Sequence, residues 1–279
     1  MASRAAEEAG RGPMIFETFD GTQLFYDVLG SGDETAVLLN GIMMTTESWA
    51  LQLRALTPKY RCIVHDFRGQ LRSPVASSEG WNIELHADDL AALLDHIGVD
   101  RVHVIGTSYG GEVGMIFAYT YPERAKSLVV IASTSATDEA MRASATAGMT
   151  TARLHRDRLF DGAARAFYSP EFLRDHPEVL EQGRARLASA GDAFFRGYAN
   201  LCDAFSALDI TANLRAIRCP TLVIAAEKDT LKPVDCSRMI EQEIEGAQLV
   251  VIPGSGHAVF MEKPDEVNRA ITSFLDSVL

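Results

Sequence analysis

A Gly-x-Ser-x-Gly turn between two apolar segments constrains this chain more than any other stretch. Residues 102–105 read Val-His-Val-Ile, residues 106–111 read Gly-Thr-Ser-Tyr-Gly-Gly, and residues 112–118 can continue as a helix. A strand that reverses into a helix within so few residues strains its apex residue, and flanking glycines avoid side-chain clashes. The pattern predicts a strand, a turn that exposes the Ser108 hydroxyl, and a helix start where the Tyr109 N–H can bind an oxyanion. The alternative is a glycine-rich turn with an idle serine.

Apolar runs of strand length alternate with helix-like segments along most of the chain. Such alternation predicts an α/β fold whose mostly parallel sheet carries helices on both faces. The first two runs, separated by Asp-Gly at 20–21, are expected to form an antiparallel pair. The predicted strands lie at residues 15–19, 23–29, 36–39, 61–65, 102–105, 127–132, 219–226 and 248–252.

The pattern changes in the segment from residue 134 to residue 215. It contains no strand-like run, and its aromatic and aliphatic residues recur at helical spacing. We interpret it as three to five helices inserted into the alternating chain. The predicted organisation is therefore a core of residues 14–133 and 216–279, an insertion of residues 134–215, and a disordered lead-in of residues 1–13.

The composition limits the classes of partner. The chain has 279 residues, a formal net charge of −12 and 47% hydrophobic residues, so binding to nucleic acid or to an anionic membrane is not expected. Its four cysteines have no paired spacing, which argues against a zinc site or a disulfide framework. The first residues lack the apolar stretch of a signal peptide, and we expect a cytoplasmic protein with no metal or cofactor. The oligomeric state stays open.

A serine nucleophile needs a base, and the base needs an orienting acid. In a parallel sheet such residues lie in the loops that follow the strands, because crevices form at that edge. Asp229 follows the strand that ends at residue 226, and His257 follows the strand that ends at residue 252. We predict His257 as the base and Asp229 as the acid, with Glu227 as the alternative acid and His65 as the alternative base.

The loop after the strand at residues 36–39 should supply the second oxyanion donor. Gly41 lets the backbone turn there, and the N–H of Ile42 is the predicted donor. Gly41 and Met43 are predicted to contact the substrate. A plain turn is the alternative interpretation.

The chain resembles the α/β-hydrolase superfamily over residues 15–279. The resemblance rests on Asn-Gly at 40–41, Asp-x-Arg-Gly-x-x-x-Ser at 66–73, the serine turn, Cys-Pro-Thr-Leu at 219–222, Asp229, and Gly-His at 256–257. It implies an eight-stranded α/β-hydrolase fold, a Ser-Asp-His triad, and a helical cap formed by residues 134–215. Three positions depart from the family pattern: Asn40 stands where histidine is more usual, and Leu71 and Ala226 stand where glycine is.

The resemblance and the intact triad together favour hydrolysis of a carboxylic ester or lactone through an acyl-enzyme. The Met- and Phe-bearing insertion suggests a hydrophobic small-molecule substrate. Acyl transfer from hydroxyacyl thioesters is an alternative, because the Asn-Gly-x-Met stretch at 40–43 resembles that branch of the superfamily. Cofactor-free lyase or perhydrolase chemistry is a further alternative. Serine at position 108 excludes the dehalogenase and epoxide-hydrolase branches, which carry aspartate there.

Overall fold

Eight strands form one mixed sheet in the computed structural model, which describes residues 14–73 and 81–278. The strand order across the sheet is β1-β2-β4-β3-β5-β6-β7-β8. The lead-in predicted for residues 1–13 lies outside the described residues. The strands are β1 (Met14–Glu17), β2 (Gln23–Leu29), β3 (Glu34–Leu39), β4 (Tyr60–His65), β5 (Val102–Thr107), β6 (Ala125–Ile131), β7 (Thr221–Ala226) and β8 (Gln248–Ile252).

The sheet is parallel from β4 to β8, and β2 runs antiparallel to both β1 and β4. In the centre, Val37 of β3 lies opposite Ile63 of β4 and Val104 of β5. Strand β5 is buried at every residue, as a strand covered on both faces must be. This confirms the mostly parallel eight-stranded sheet, with the predicted antiparallel pair at one edge.

Helices cover both faces of the sheet and bury a separate apolar cluster on each. Helices α2, α3 and α9 contribute to one cluster, and α1, α10 and α11 to the other. No helix of the described residues is long and apolar enough to cross a membrane. The helices of the core are α1 (Ala50–Leu56), α2 (Ile83–His96), α3 (Tyr109–Thr120), α9 (Val234–Glu243), α10 (Val259–Glu262) and α11 (Pro264–Ser277), with short 3-10 helices at Thr46–Trp49 and Thr211–Ala216.

Five helices lie between β6 and β7, where the sequence predicted three to five. They share a small apolar cluster of their own, to which Leu159, Leu187 and Phe195 contribute. Helix α8 also packs tightly on the loop after β4: a Cβ atom on Gly197 would lie 2.0 Å from the carbonyl oxygen of Gly69. These helices, α4 (Glu139–Leu154), α5 (Arg156–Phe167), α6 (Pro170–Asp175), α7 (Glu178–Ala188) and α8 (Asp192–Ser206), are called the helical insertion below.

Two buried histidines make the stability of this fold sensitive to acid. Burial lowers the pKa of His65 to about 4 and that of His86 to about 3. In the unfolded chain both side chains titrate at about pH 6.5, so the unfolded state binds more protons than the folded state below that pH. We expect the free energy of unfolding to fall by about 1.4 kcal/mol per pH unit for each histidine between roughly pH 6.5 and pH 4.

Urea denaturation across that pH range measures this loss. His86 packs edge-on against Phe67 and Tyr109, so His86→Phe can fill the same space without titrating and should make the pH dependence shallower. His176→Ala is the matched control, because His176 is half-exposed. An unfolding free energy that stays constant from pH 7 to pH 4 would contradict the expectation.

Candidate active site

The serine turn joins β5 to α3 with Ser108 at its apex. Ser108 has φ of 52° and ψ of −122°, a backbone conformation that few non-glycine residues adopt. A Cβ atom on Gly106 would lie 2.2 Å from the carbonyl oxygen of Gly110, and one on Gly110 would lie 2.1 Å from that of Leu39. The strained apex and its need for flanking glycines are therefore as the sequence predicted.

His257 connects Ser108 to Asp229 through two hydrogen bonds. Its Nε2 lies 3.0 Å from the Ser108 Oγ, and its Nδ1 lies 2.7 Å from the Asp229 Oδ2. The other carboxylate oxygen of Asp229 accepts hydrogen bonds from the N–H groups of Leu231 and Lys232, both at 2.8 Å. These contacts fix the carboxylate against the imidazole. Both residues are buried, at 5% exposure for Asp229 and 7% for His257.

The alternative acid, Glu227, and the alternative base, His65, make other contacts in the structure. Glu227 accepts a hydrogen bond from the N–H of Gly254 at 2.8 Å, at an exposed position. His65 is buried with its ring edge-on to Phe67, 5.0 Å between centroids, and burial lowers its pKa. The geometry therefore favours Asp229 and His257 over both alternatives.

The loop that carries His257 is tied to the helical insertion. The N–H of Ala258 donates to the carbonyl oxygen of Phe167 at 2.7 Å, and the Phe167 ring lies 5.9 Å from the imidazole of His257. The Glu262 carboxylate accepts hydrogen bonds from Ser169, through its N–H at 2.8 Å and its hydroxyl at 2.6 Å. The segment between α5 and α6 is thereby fixed beside the imidazole.

Gln70 holds the loop that carries the predicted oxyanion donor. Its Nε2 donates to the carbonyl oxygens of Gly41, at 2.7 Å, and Ile42, at 3.3 Å. Asn40 in turn donates to the Gln70 Oε1 at 3.1 Å and accepts from the Trp49 indole at 2.9 Å. In a planar trans peptide the N–H points opposite to the carbonyl, so the Ile42 N–H faces away from Gln70. The unusual Asn40 thus belongs to a buried network that orients this loop.

A cavity of about 550 Å³ opens at Ser108. Its walls include six of the seven residues predicted for the site, namely Ser108, His257, Gly41, Ile42, Met43 and Tyr109, whereas the seventh, Asp229, lies outside the wall. A Cβ atom on Gly41 would lie 3.4 Å from that of Ser108, so this loop contacts the serine directly. The helical insertion supplies aromatic walls through Phe160, Phe167, Phe194, Tyr198 and Phe205.

Three residues of the site were missed in the sequence. Gln70 binds the loop that carries the predicted oxyanion donor, and Glu112 and Lys232 form a buried ion pair in the cavity wall. The sequence positions of two of them could have indicated a place in the site. Gln70 follows β4 at the edge of the sheet where the other site residues lie, and Lys232 is three residues beyond Asp229.

Comparisons with known proteins agree with this architecture. The alpha/beta hydrolase fold family matches residues 36–264. A relative from a Caulobacter species that carries the name carbamate hydrolase RutD is 30% identical, over 92% of this chain and 97% of its own. The 3-oxoadipate enol-lactonase 2 of Acinetobacter baylyi is 29% identical, over 90% of this chain and 92% of its own.

Two solved structures extend the comparison. An alpha/beta hydrolase enzyme from a Medee basin deep-sea metagenome library has a TM-score of 0.89 and 25% identity, over 94% of this chain and 97% of its own. A thermophilic esterase from Thermogutta terrifontis has a TM-score of 0.85 and 28% identity, over 96% of this chain and 99% of its own. The sheet, the serine turn and the family match lead to one assignment: the chain belongs to the alpha/beta hydrolase fold family.

Proposed function

We propose that this protein is a serine hydrolase that cleaves a carboxylic ester or lactone of a hydrophobic small molecule. The observation that carries the proposal is the hydrogen-bonded chain from Ser108 through His257 to Asp229 at the wall of a largely apolar cavity. Relatives named as an enol-lactonase and an esterase support this class of substrate. The proposed site needs no metal or cofactor, and its partner is the substrate alone.

In the proposed reaction, the Ser108 Oγ attacks the carbonyl carbon while His257 Nε2 takes the hydroxyl proton. Asp229 stabilises the resulting imidazolium through Nδ1. The tetrahedral intermediate expels the alkoxide, which leaves with the proton from His257, and the acyl group stays on Ser108. Water then attacks the acyl-enzyme with His257 as base, releasing the acid. In a lactone, the leaving alkoxide is part of the same molecule.

The developing oxyanion is stabilised by two backbone donors. The Tyr109 N–H lies at the start of α3, where the helix dipole favours negative charge. The Ile42 N–H is the second donor, because Gln70 binds the carbonyl on the opposite side of that peptide.

Gln70 is therefore expected to act on catalysis through the loop it holds. Gln70→Leu should lower kcat about 10²-fold with a smaller change in KM, since a misplaced oxyanion donor costs transition-state stabilisation. Steady-state kinetics on one ester measures the split between kcat and KM. Gln248→Leu, at an exposed position of β8, is the control. A Gln70→Leu enzyme with wild-type kcat would show that the hydrogen bonds of Gln70 to this loop are not needed for catalysis.

Residues 134–215 are proposed to act as a cap that selects the acyl group. Phe194 lines the cavity, whereas Phe172 lies outside its wall and stacks on Tyr168 at 5.2 Å. Phe194→Ala should shift the preferred acyl chain length, because one methylene in an apolar pocket is worth about 1–3 kcal/mol. Phe172→Ala should leave the preference unchanged. Measuring kcat/KM on acetate, butyrate and octanoate esters tests this, and identical profiles for both variants would contradict it.

A substrate panel tests the proposed reaction. We expect saturable hydrolysis of p-nitrophenyl esters of several chain lengths or of simple lactones, abolished in Ser108→Ala. Product analysis with and without an acceptor alcohol or thiol separates hydrolysis from acyl transfer. Transfer as the dominant product would favour the acyltransferase alternative. If the panel gives no turnover of any ester or lactone, the proposal is wrong.

A further inference from the structure

A buried ion pair lies in the wall of the otherwise largely apolar cavity. The Lys232 Nζ lies 2.8 Å from the Glu112 Oε1, with side-chain exposures of 6% and 0%. Both residues line the cavity that opens at Ser108. Taking two charges out of water is costly, so a pair at this depth is not explained by stability alone.

The second carboxylate oxygen of Glu112 is unused. The Oε2 is buried and has no hydrogen-bond partner among residues 14–73 and 81–278. The Lys232 ammonium cannot compensate for it, because that group bonds to Oε1 and also lies 3.6 Å from the centroid of the Phe205 ring. A buried carboxylate oxygen without a donor is unfavourable, and a ligand that brings a donor would remove that penalty.

The backbone of each member of the pair is hydrogen-bonded to a residue of the proposed triad. Glu112 is one helical turn beyond the nucleophile, and its N–H donates to the Ser108 carbonyl oxygen at 3.1 Å. Lys232 is three residues beyond Asp229, and its N–H donates to the Asp229 Oδ1. Ser108 and Glu112 line the same cavity, so an acyl group bound to Ser108 would share that cavity with the Glu112 carboxylate.

We propose that Glu112, held by Lys232, is a specificity-determining residue that accepts a hydrogen bond from a hydroxyl or amide N–H on the acyl group of the substrate, a few bonds from the reacting carbonyl. The inference rests on the proposed hydrolase function and narrows its substrate to acyl groups that carry a neutral hydrogen-bond donor. The Lys232 ammonium keeps the carboxylate oriented, and the ammonium itself lies over the Phe205 ring.

A purely structural role makes a different prediction. The ion pair also links α3 to the loop of Asp229, and a latch of that kind would affect all substrates equally. A donor-binding role instead acts on the ratio between a substrate with the donor and one without it. Sites built to bind a substrate hydroxyl discriminate strongly against analogues that lack it.

The test uses p-nitrophenyl esters matched in shape. 3-Hydroxybutyrate is compared with 3-methylbutyrate, and 2-hydroxybutyrate with 2-methylbutyrate, each kcat/KM being divided by the rate of the same ester in hydroxide. We expect the wild-type enzyme to prefer at least one hydroxy ester by about tenfold or more. If it turns over both members of each pair with equal efficiency, the subsite is refuted while the hydrolase function stands. If it turns over none of them or the wider ester and lactone panel, the proposed function itself fails.

Substitutions test whether the preference for hydroxy esters depends on Glu112 and Lys232. Glu112→Met/Lys232→Met removes both charges with similar volume and should bring the ratio close to one, and Glu112→Gln should lower it several-fold. Arg215→Met/Glu243→Met is the control, because it removes an ion pair outside the cavity and should keep the wild-type ratio. Thermal unfolding confirms that each variant is folded. A folded double variant that keeps the full preference would assign the hydroxyl to other residues and overturn the proposal.

Discussion

Ser108→Ala is expected to lower kcat by about 10⁶-fold while the protein stays folded. The substitution removes the nucleophile, and the residual rate then comes from the oxyanion donors and substrate binding alone. Alanine also fits the turn, since it introduces no group larger than the serine it replaces. Kinetics on the best ester of the panel measures the loss, and thermal unfolding checks the fold.

Ser133→Ala is the control for Ser108→Ala. The Ser133 hydroxyl donates to the Ser108 carbonyl oxygen at 2.8 Å and therefore lies next to the turn without reaching the imidazole. We expect its kcat to stay far above that of Ser108→Ala. Turnover near the wild-type level in a folded Ser108→Ala variant would show that another residue is the nucleophile.

Asp229→Asn should lower kcat by about 10⁴-fold. An asparagine keeps an oxygen for the N–H groups of Leu231 and Lys232, so the loop is expected to hold its shape. Its amide presents a donor to His257 Nδ1, which favours the wrong imidazole tautomer and no longer stabilises the imidazolium. The loss should therefore appear in kcat with little change in stability.

Glu227→Gln is the matched control, because it makes the same chemical change two residues away. The Glu227 carboxylate accepts from the Gly254 N–H rather than from His257, and a glutamine oxygen can still accept that bond. We expect nearly wild-type kcat. A larger loss in Glu227→Gln than in Asp229→Asn would mean that the acid was assigned to the wrong residue.

Much of this site could be predicted from the sequence because its signals are local. The strand, the glycines and the helix around Ser108 follow one another directly in the chain, and the turn needs each of them. Asp229 and His257 each follow a predicted strand, and a parallel sheet brings such loops to one edge. Order and placement were therefore sufficient to select them.

Contacts between distant side chains could not be predicted in the same way. Gln70 reaches Gly41 across 29 positions of the chain, and Lys232 reaches Glu112 across 120. Each pairing depends on how two loops or helices pack, which hydrophobic periodicity does not specify. In the sequence, Gln70 is one polar loop residue among several, and Glu112 is one more acidic residue in the first turn of a helix.

The sequence also could not predict which residues of the helical insertion line the cavity. Its helical spacing was sufficient to predict helices, but not which faces line the cavity. Phe194 lines the cavity, whereas its neighbour Phe195 packs in the apolar cluster of the insertion. Adjacent residues on a helix point about 100° apart, so packing decides which of the two contacts a ligand.

Covalent labelling shows directly whether Ser108 is the nucleophile. The enzyme is incubated with a p-nitrophenyl alkylphosphonate, and intact mass, peptide mapping and residual activity are measured on the same sample. We expect one phosphonyl group per chain, located on Ser108, with loss of activity in proportion to labelling, and no labelling of Ser108→Ala. Labelling at another residue that accompanies inactivation, or full inactivation with Ser108 unmodified, would contradict it.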